Sequence, residues 1–462
     1  MFKHLSQWYE HHHPCHLCSP YLQWLGISPA FCRQLVSNLY VGLLITVVLL
    51  LSPLRNIPLL VTIEDTAIDW VINLQLHTEL KRLPTPHFVF LNLEEQTYQQ
   101  WGEPLITPRD KLRQLIAFAV AGQPKAIVVD IDLTYPTHCI TERTHCLNDS
   151  TKLDPADIEL RDFLANYATS SSCNGKPCPY LILVKTTQPV LDAQGKPTSQ
   201  RQLRPSFLDH IVDQNPRIYW ASSLFELEDN RLRRWRLCEP GKTGKLDSLP
   251  SVQLLITELL KSEATPVAER VKEKCEDAET GEEELSQRIL YSLRPTGEHV
   301  PYPLVVVPED QVQRPLLTIQ PAFQLVAHPE ADKSALRQSI VVIGSSYSDS
   351  NDLYTTPVGT MPGALVVINA IHSLQQSGEL HRPHWFIAIC IEVFSIIVMS
   401  LAFTRFNSFY GMLVSGVFVI VVMIPLSFWL FQYGWWLDFA IPLLAVQLHR
   451  MAAVFHHSHE EV

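Results

Sequence analysis

VVIGSSYSDSNDLYTTPVGTMPGALVVINAI, residues Val341 to Ile371, joins two apolar runs through a polar loop. The first run is β-branched and stops at Gly344, the pattern of a buried strand. The second follows Met361-Pro362-Gly363 and predicts a helix over Gly363 to Gly378. A phosphate-cradling loop would need a second glycine and a lysine at fixed spacing, and the loop has neither. Asp349 and Asp352 would also repel an anion at the start of that helix. The stretch therefore reads first as the connection of a fold, and second as an oxygen-rich site.

Upstream, HFVFLNL (His87 to Leu93) is a second buried strand, and KAIVVDIDL (Lys125 to Leu133) a third. Between them TPRDKLRQLIAFAVAG has Leu112, Leu115, Ile116 and Ala119 at helical spacing. Thr107 is its candidate N-cap, Pro108 its first helical position and Gly122 its end. Strand, helix and strand over this distance make a βαβ unit, so an α/β domain with a mostly parallel sheet is expected. Thr137 to Pro179 reads as an irregular polar insertion, and YLILVK resumes the sheet. Asp229-Asn230 between alternating runs predicts a hairpin. SLPSVQLLITELLK predicts an amphipathic helix, and Ser262 to Gln287 a charged, exposed segment.

Charge-poor runs flank this region. Leu35–Leu54 before it, and Trp385–Phe403, Gly411–Phe431 and Trp435–Leu448 after it, predict transmembrane helices: one span before the domain and three after. Glu392 falls inside the second run, and an intramembrane carboxylate ordinarily faces protein or water. Lys3, Arg33, Arg405 and Arg450 fall on one side of such a topology, which makes that side cytoplasmic. The expected order is a cytoplasmic tail (1–34), a first span (35–54), an extracytoplasmic domain (55–384), three spans (385–455) and a cytoplasmic tail (456–462), in a bacterial inner membrane with the large domain in the periplasm. Membrane lipid is then an obligatory partner. The net charge of −11 excludes a nucleic-acid partner.

Six cysteines, Cys139, Cys146, Cys173, Cys178, Cys238 and Cys275, lie in the exported region, an even number that suggests disulfides there. Pairing neighbours (139 with 146, 173 with 178, 238 with 275) is the most economical of about 15 connectivities. At the N-terminus, HHHPCHLC places His11, His12, His13, Cys15, His16 and Cys18 together. These thiolates and imidazoles suit zinc, with two solvated tails as the alternative. No other cofactor is expected.

The element order from about Asp65 onward resembles the type-2 CHASE sensor, the second class of cyclases/histidine kinases associated sensory extracellular domains. The resemblance rests on Asp69-Trp70, on FLNLEEQT with Glu94 and Glu95, on TPRDKL, on AIVVDIDLTYP and above all on the opening stretch. There Gly344, Asp352, Thr356-Pro357, Met361-Pro362-Gly363 and Asn369 match the family's pattern. Leu365 and Val367 stand where the family commonly has Glu and His. The resemblance implies an extracytoplasmic sensing module. The chain as read carries no output domain, so any signal is expected to pass to a separate membrane protein, with a homodimer fitting such signalling. The alternative is a non-catalytic accessory subunit of a bacterial envelope complex.

In parallel sheets ligands bind beyond the carboxyl ends of the strands. Asp130 and Asp132 end one strand, and Ser345, Ser346, Asp349 and Asp352 follow another. If those strands are neighbours, the carboxylates and hydroxyls converge into a site for a small molecule or a hard cation, with Thr356 and Asn369 as further members. Asx turns and satisfied loop amides are the competing explanation for the same residues. No nucleophile elbow or metalloprotease motif is present, and an enzyme is not expected.

Overall fold

A computed structural model describes residues 58–76, 85–138, 153–168, 173, 175–192, 194–223, 225–241, 244–261, 265–280, 287–294, 305–306, 314–381, 384–406, 408–431 and 433–437. These fall into two units, Ile72–Glu379 and a second one made of the described residues up to Val71 and from Leu380 onward.

The larger unit is built on six strands: β1 (Phe88–Leu93), β2 (Ala126–Val129), β3 (Tyr180–Val184), β4 (Ile218–Ala221), β5 (Leu317–Pro321) and β6 (Ile340–Ser345). Every pairing among them is parallel, in the order β5-β1-β6-β2-β3-β4. The chain lays β2, β3 and β4 to one side of β1, returns to place β5 on the other, and then inserts β6 at the centre. Strands covered on both faces need continuous apolar runs, which FVFLNL, AIVV and IVVIGS supply.

Alternation along the strands divides their side chains between two layers. On one face Val89, Leu91, Ile127, Val129, Leu181, Leu183, Val341 and Ile343 pack with Leu112, Leu115, Ile116, Leu160 and Leu164. Those helical residues belong to α2 (Arg109–Ala121) and α3 (Pro155–Ala165). The other face carries Phe88, Phe90, Val128 and Val342, all buried. It lies against α4 (Val252–Leu260) and α5 (Gly363–Ser377), whose residues Gly363 to Leu374 are buried without interruption.

Three expectations are corrected. Pro108, not Thr107, occupies the N-cap of α2, and the helix begins at Arg109. The segment 137–179 is no mere insertion, because α3 lies inside it and buries Leu160 and Leu164 as the crossover between β2 and β3. Ser262–Gln287 contains a helix, Val267–Thr280, in which Arg270, Val271 and Cys275 are buried. The hairpin lies where it was expected: Phe225–Glu228 pairs with Arg231–Trp235, and Asp229 and Asn230 have φ of 49° and 58°, as a type I′ turn requires.

Two disulfides are present. Cys173–Cys178 and Cys238–Cys275 have Cα separations of 5.4 and 5.7 Å. Cys139 and Cys146, the N-terminal His/Cys cluster and the first predicted span lie outside the described residues.

In the second unit, α6 (Trp385–Arg405) is followed by Ser408–Phe418, a π-helical turn at Val419–Met423 and Ile424–Phe431. Pro425 accounts for the π turn, since it cannot donate to the preceding turn and its ring displaces the carbonyl there. The third predicted span is thus divided into shorter pieces. Among the described residues no helix is long and apolar enough to cross a membrane. The unit still exposes many large apolar side chains, Phe386, Ile387, Phe394, Leu413, Ile420 and Trp429 among them.

Candidate functional site

The polar loop of the opening stretch folds into a hairpin between β6 and α5. Its strands are β7 (Leu353–Thr356) and β8 (Gly359–Pro362), antiparallel with Leu353 opposite Pro362. Asp352 sits at the base of this hairpin. Its backbone carbonyl accepts the Gly363 N–H at 2.8 Å.

Two glycines of the motif are explained by close approach. A Cβ on Gly363 would strike the Asp352 carboxylate, so only glycine lets that side chain lie against the first turn of α5. A Cβ on Gly344 would come within 2.6 Å of the Ala364 Cβ and 3.6 Å of the Asp130 Cβ. Gly344 therefore seats the helix directly on the centre of the sheet. Asp130 is the strand neighbour of Gly344, because its N–H donates to the Ile343 carbonyl at 2.8 Å. The fold signature and the approach of Asp130 to Asp352 are one piece of geometry.

The electrostatics follow from that approach. Burial pushes the Asp130 carboxyl up to about 6, against a lowering hydrogen bond from Ser223. Burial and then the Asp130 charge push Asp352 up to about 7, opposed by hydrogen bonds from Tyr354 and the Gly363 backbone. Burial, with Asp352 and Asp130 nearby, raises the Tyr354 phenol to about 12. No basic side chain is among the groups that shift either carboxyl. The pair, half-buried at both members, costs stability wherever both are charged, and carboxylates perturbed in this way cluster at functional sites.

The other predicted residues are placed as follows. Asp132 accepts the Thr134 N–H at 2.8 Å in an Asx turn, and its backbone carbonyl accepts from Arg109. The Ser346 N–H donates to the Leu93 carbonyl, continuing the ladder of β6, whose last residue is Ser345. Asp349 is exposed in a short turn held to the helix Glu95–Gln100 by the Tyr98–Tyr347 stack and by the Ser348 N–H, which donates to Glu95. Thr356 donates to the Gly359 carbonyl at 2.5 Å and shapes the hairpin tip. Asn369 is fully buried; it accepts from Ser292 and Leu293 N–H groups and donates to the Leu293 and Leu365 carbonyls. Of the eight predicted residues, then, Asp130 and Asp352 come together, and Thr356 and Asn369 stitch the framework around them.

Ser223, Tyr354 and Arg109 were not among the predicted site residues. Tyr354 lies two positions after Asp352 on a strand, on the same side, so the hairpin pattern would have pointed to it. Ser223 reaches Asp130 only because β4 lies at that end of the sheet. Arg109 is buried; it donates to the Asp132 and Tyr135 carbonyls at 3.3 Å and lies 3.7 Å from Asp157, fastening the loop that follows Asp130. Asp157 in turn accepts the Thr137 N–H at 2.8 Å. Among the described residues no group of three or more His, Cys, Asp and Glu side chains could hold a metal ion.

The carboxyl ends of the strands, where these polar groups gather, are where ligands bind in open parallel α/β sheets. A family model described as the CHASE2 domain matches residues 42–404, so the chain belongs to the CHASE2 family, one of extracytoplasmic sensory domains, as the sequence motifs implied. No curated protein and no solved structure matches it.

Proposed function

We propose that the chain is a membrane-anchored extracytoplasmic sensor of a bacterial inner membrane, non-catalytic in itself, which passes its signal to a separate membrane protein. The observation that carries the sensory reading is the Asp130–Asp352 pair. It is a destabilising arrangement at the strand ends of a CHASE2 domain, with no basic side chain among the groups that shift either carboxyl. The apolar side chains exposed on residues 386–435 support the membrane reading, since a contiguous apolar surface of this kind calls for lipid or a partner helix. The Cys173–Cys178 and Cys238–Cys275 bridges support an oxidising compartment.

A thermal-shift screen of the detergent-solubilised full chain against small metabolites, cations and pH tests the reading. At least one condition is expected to move the midpoint by several degrees in the wild type and not in Asp130→Asn/Asp352→Asn. Identical responses of the two proteins to every condition would overturn it. So would a stoichiometric association with a constitutive envelope complex in mild detergent, which is the mark of an accessory subunit.

A further inference from the structure

We propose that the ligand of the Asp130–Asp352 site is the hydrogen ion, and that its uptake is read out through the 353–362 hairpin at the end of α1 (Pro58–Gln75). This inference rests on the sensory reading above.

Three features of the geometry support it. The first is an imbalance of donors and acceptors. Asn92, Gly344 and Asp130 form one row across β1, β6 and β2, on the sheet face that α5 covers. Asn92 is 4% exposed, and its side-chain oxygen has no hydrogen-bond partner among the described residues. The row and Asp352 together offer five side-chain acceptor oxygens. Tyr354, Ser223 and the Gly363 N–H donate to the carboxylates, three donors to four carboxylate oxygens, and the Asn92 amide adds two N–H donors to the row. A half-buried carboxylate pair with fewer donors than oxygens is relieved by a proton.

The second feature separates a proton from a metal ion. Asp352 lies at the N-terminal end of a 15-residue helix, whose dipole opposes the double charge of a divalent cation more than the single charge of a proton. Among the described residues only two carboxylates converge, fewer than the oxygen cage a calcium ion ordinarily takes.

The third feature is the route out. Asp352 and Tyr354 form the base of the hairpin, and at its other end the Pro357 carbonyl accepts from Asn73 Nδ2 at 3.0 Å. Asn73 belongs to the last turn of α1, the segment that enters the domain. Repulsion between two charged carboxylates separates the hairpin base from the strand end, and one shared proton lets them close. Other charged and titratable groups face this unit. Tyr347 stands beside Asp349 and Asp352. Strand Arg231–Trp235, packed against β7, brings Arg231, Arg233 and Arg234, each with partners of its own. From α4, Glu258 is held by its own cations.

Hydrogen exchange of the full chain in detergent, at pH 5.5 and 7.5 with rates corrected for intrinsic chemistry, tests the proposal. Amides 353–363 and 72–76 are expected to exchange roughly tenfold more slowly at pH 5.5, the change that one pKa unit of coupling produces. Asp352→Asn should exchange slowly at both pH values. Asn73→Ala should keep the response in the hairpin and lose it in α1. Exchange independent of pH, or a response unchanged in Asp352→Asn, would overturn the proposal. So would slowing by millimolar Ca²⁺ or Mg²⁺ at pH 7.5 that requires Asp130. If pH has no effect while another solute shifts the melting midpoint through these aspartates, the proton fails as ligand and the sensory reading stands.

Discussion

Glu258 and the Asp130–Asp352 pair lie in one α/β domain with opposite surroundings. Glu258, in α4, is 1% exposed and receives Lys261 at 2.8 Å, Lys274 at 3.2 Å and Arg270 at 2.9 Å. Burial alone would raise its carboxyl. Hydrogen bonds from Lys261 and Arg270 and the nearby lysine charges outweigh that and hold it at about 2. At the strand ends burial acts on two half-buried carboxylates whose partners are each other, a phenol, a hydroxyl and one backbone N–H, and both rise toward neutrality. The fold evidently can surround an acid with cations. No basic side chain is among the groups that shift Asp130 or Asp352, and that difference separates a structural charge from one available to respond.

The strongest way to break the comparison is to weaken the structural side. Helix Val267–Thr280 is tied to the body twice, through Cys238–Cys275 and through Arg270 and Lys274 on Glu258. Replacing both cysteines with serine opens a loop with a sequence separation of 37 and is expected to cost about 4 kcal/mol, read as a lower denaturation midpoint. Glu258→Gln should cost about 3 kcal/mol. That is the low end for breaking a buried pair, because Lys261 and Lys274 are partly exposed and can rehydrate while Arg270 cannot. If Glu258→Gln were neutral in denaturant melts, Glu258 would not be the structural counterpart claimed here.

The next test acts on the contact that brings the responsive pair together. Gly344→Ala sets a methyl group against Ala364 on a helix buried along twelve consecutive residues, leaving little room to yield. About 2 kcal/mol of overpacking is expected, with a matching fall in the pH response as α5 lifts from Asp130. Full retention of both would show that the close seat of α5 is not what couples the carboxylates.

Much of this arrangement is legible in the chain. The apolar runs at 88–93, 126–129 and 340–345 mark the three central strands, and the Gly363–Ser377 helix follows from its spacing. That Asp130 and Asp352 meet was conditional on β2 and β6 being neighbours, which the order β5-β1-β6-β2-β3-β4 satisfies. Spacing along the chain cannot supply that condition, since β6 is inserted at the centre only after β5. The motif also does not distinguish Asp352, which meets another acid, from Thr356 and Asn369, whose hydrogen bonds go to the backbone. All three are polar residues of one string, and only their partners tell them apart. The helix at Pro155–Ala165 escaped because the surrounding cysteines and polar residues dominate its neighbourhood, although Leu160 and Leu164 stand four apart on one face.

The smallest effect is the most discriminating, because the two sides of the comparison respond to pH with opposite sign. Glu258 is depressed in the folded chain, to about 2 from an ordinary 4.5. Its contribution is therefore present above about 4.5 and is lost as pH falls toward 2. Asp130 and Asp352 are raised, to about 6 and about 7 from an ordinary 3.8. The folded state then binds more protons than the unfolded one between those values, and stability rises as pH falls through 7 and 6 toward 4. The wild-type chain should accordingly be most stable near pH 5, lose stability steadily toward pH 8, and lose it again below about 4. Asp352→Asn removes the repulsion while keeping an acceptor for Tyr354 and for the Gly363 N–H. It should stabilise the domain by about 1 kcal/mol at pH 8, well below the bare Coulomb energy of two close charges because solvent and relaxation screen them. At pH 5 it should change little, so the slope between 5 and 8 flattens while the acid limb governed by Glu258 stays in place. A parallel downward shift of the whole curve would mean instead that Asp352 serves only to pack the hairpin against the helix.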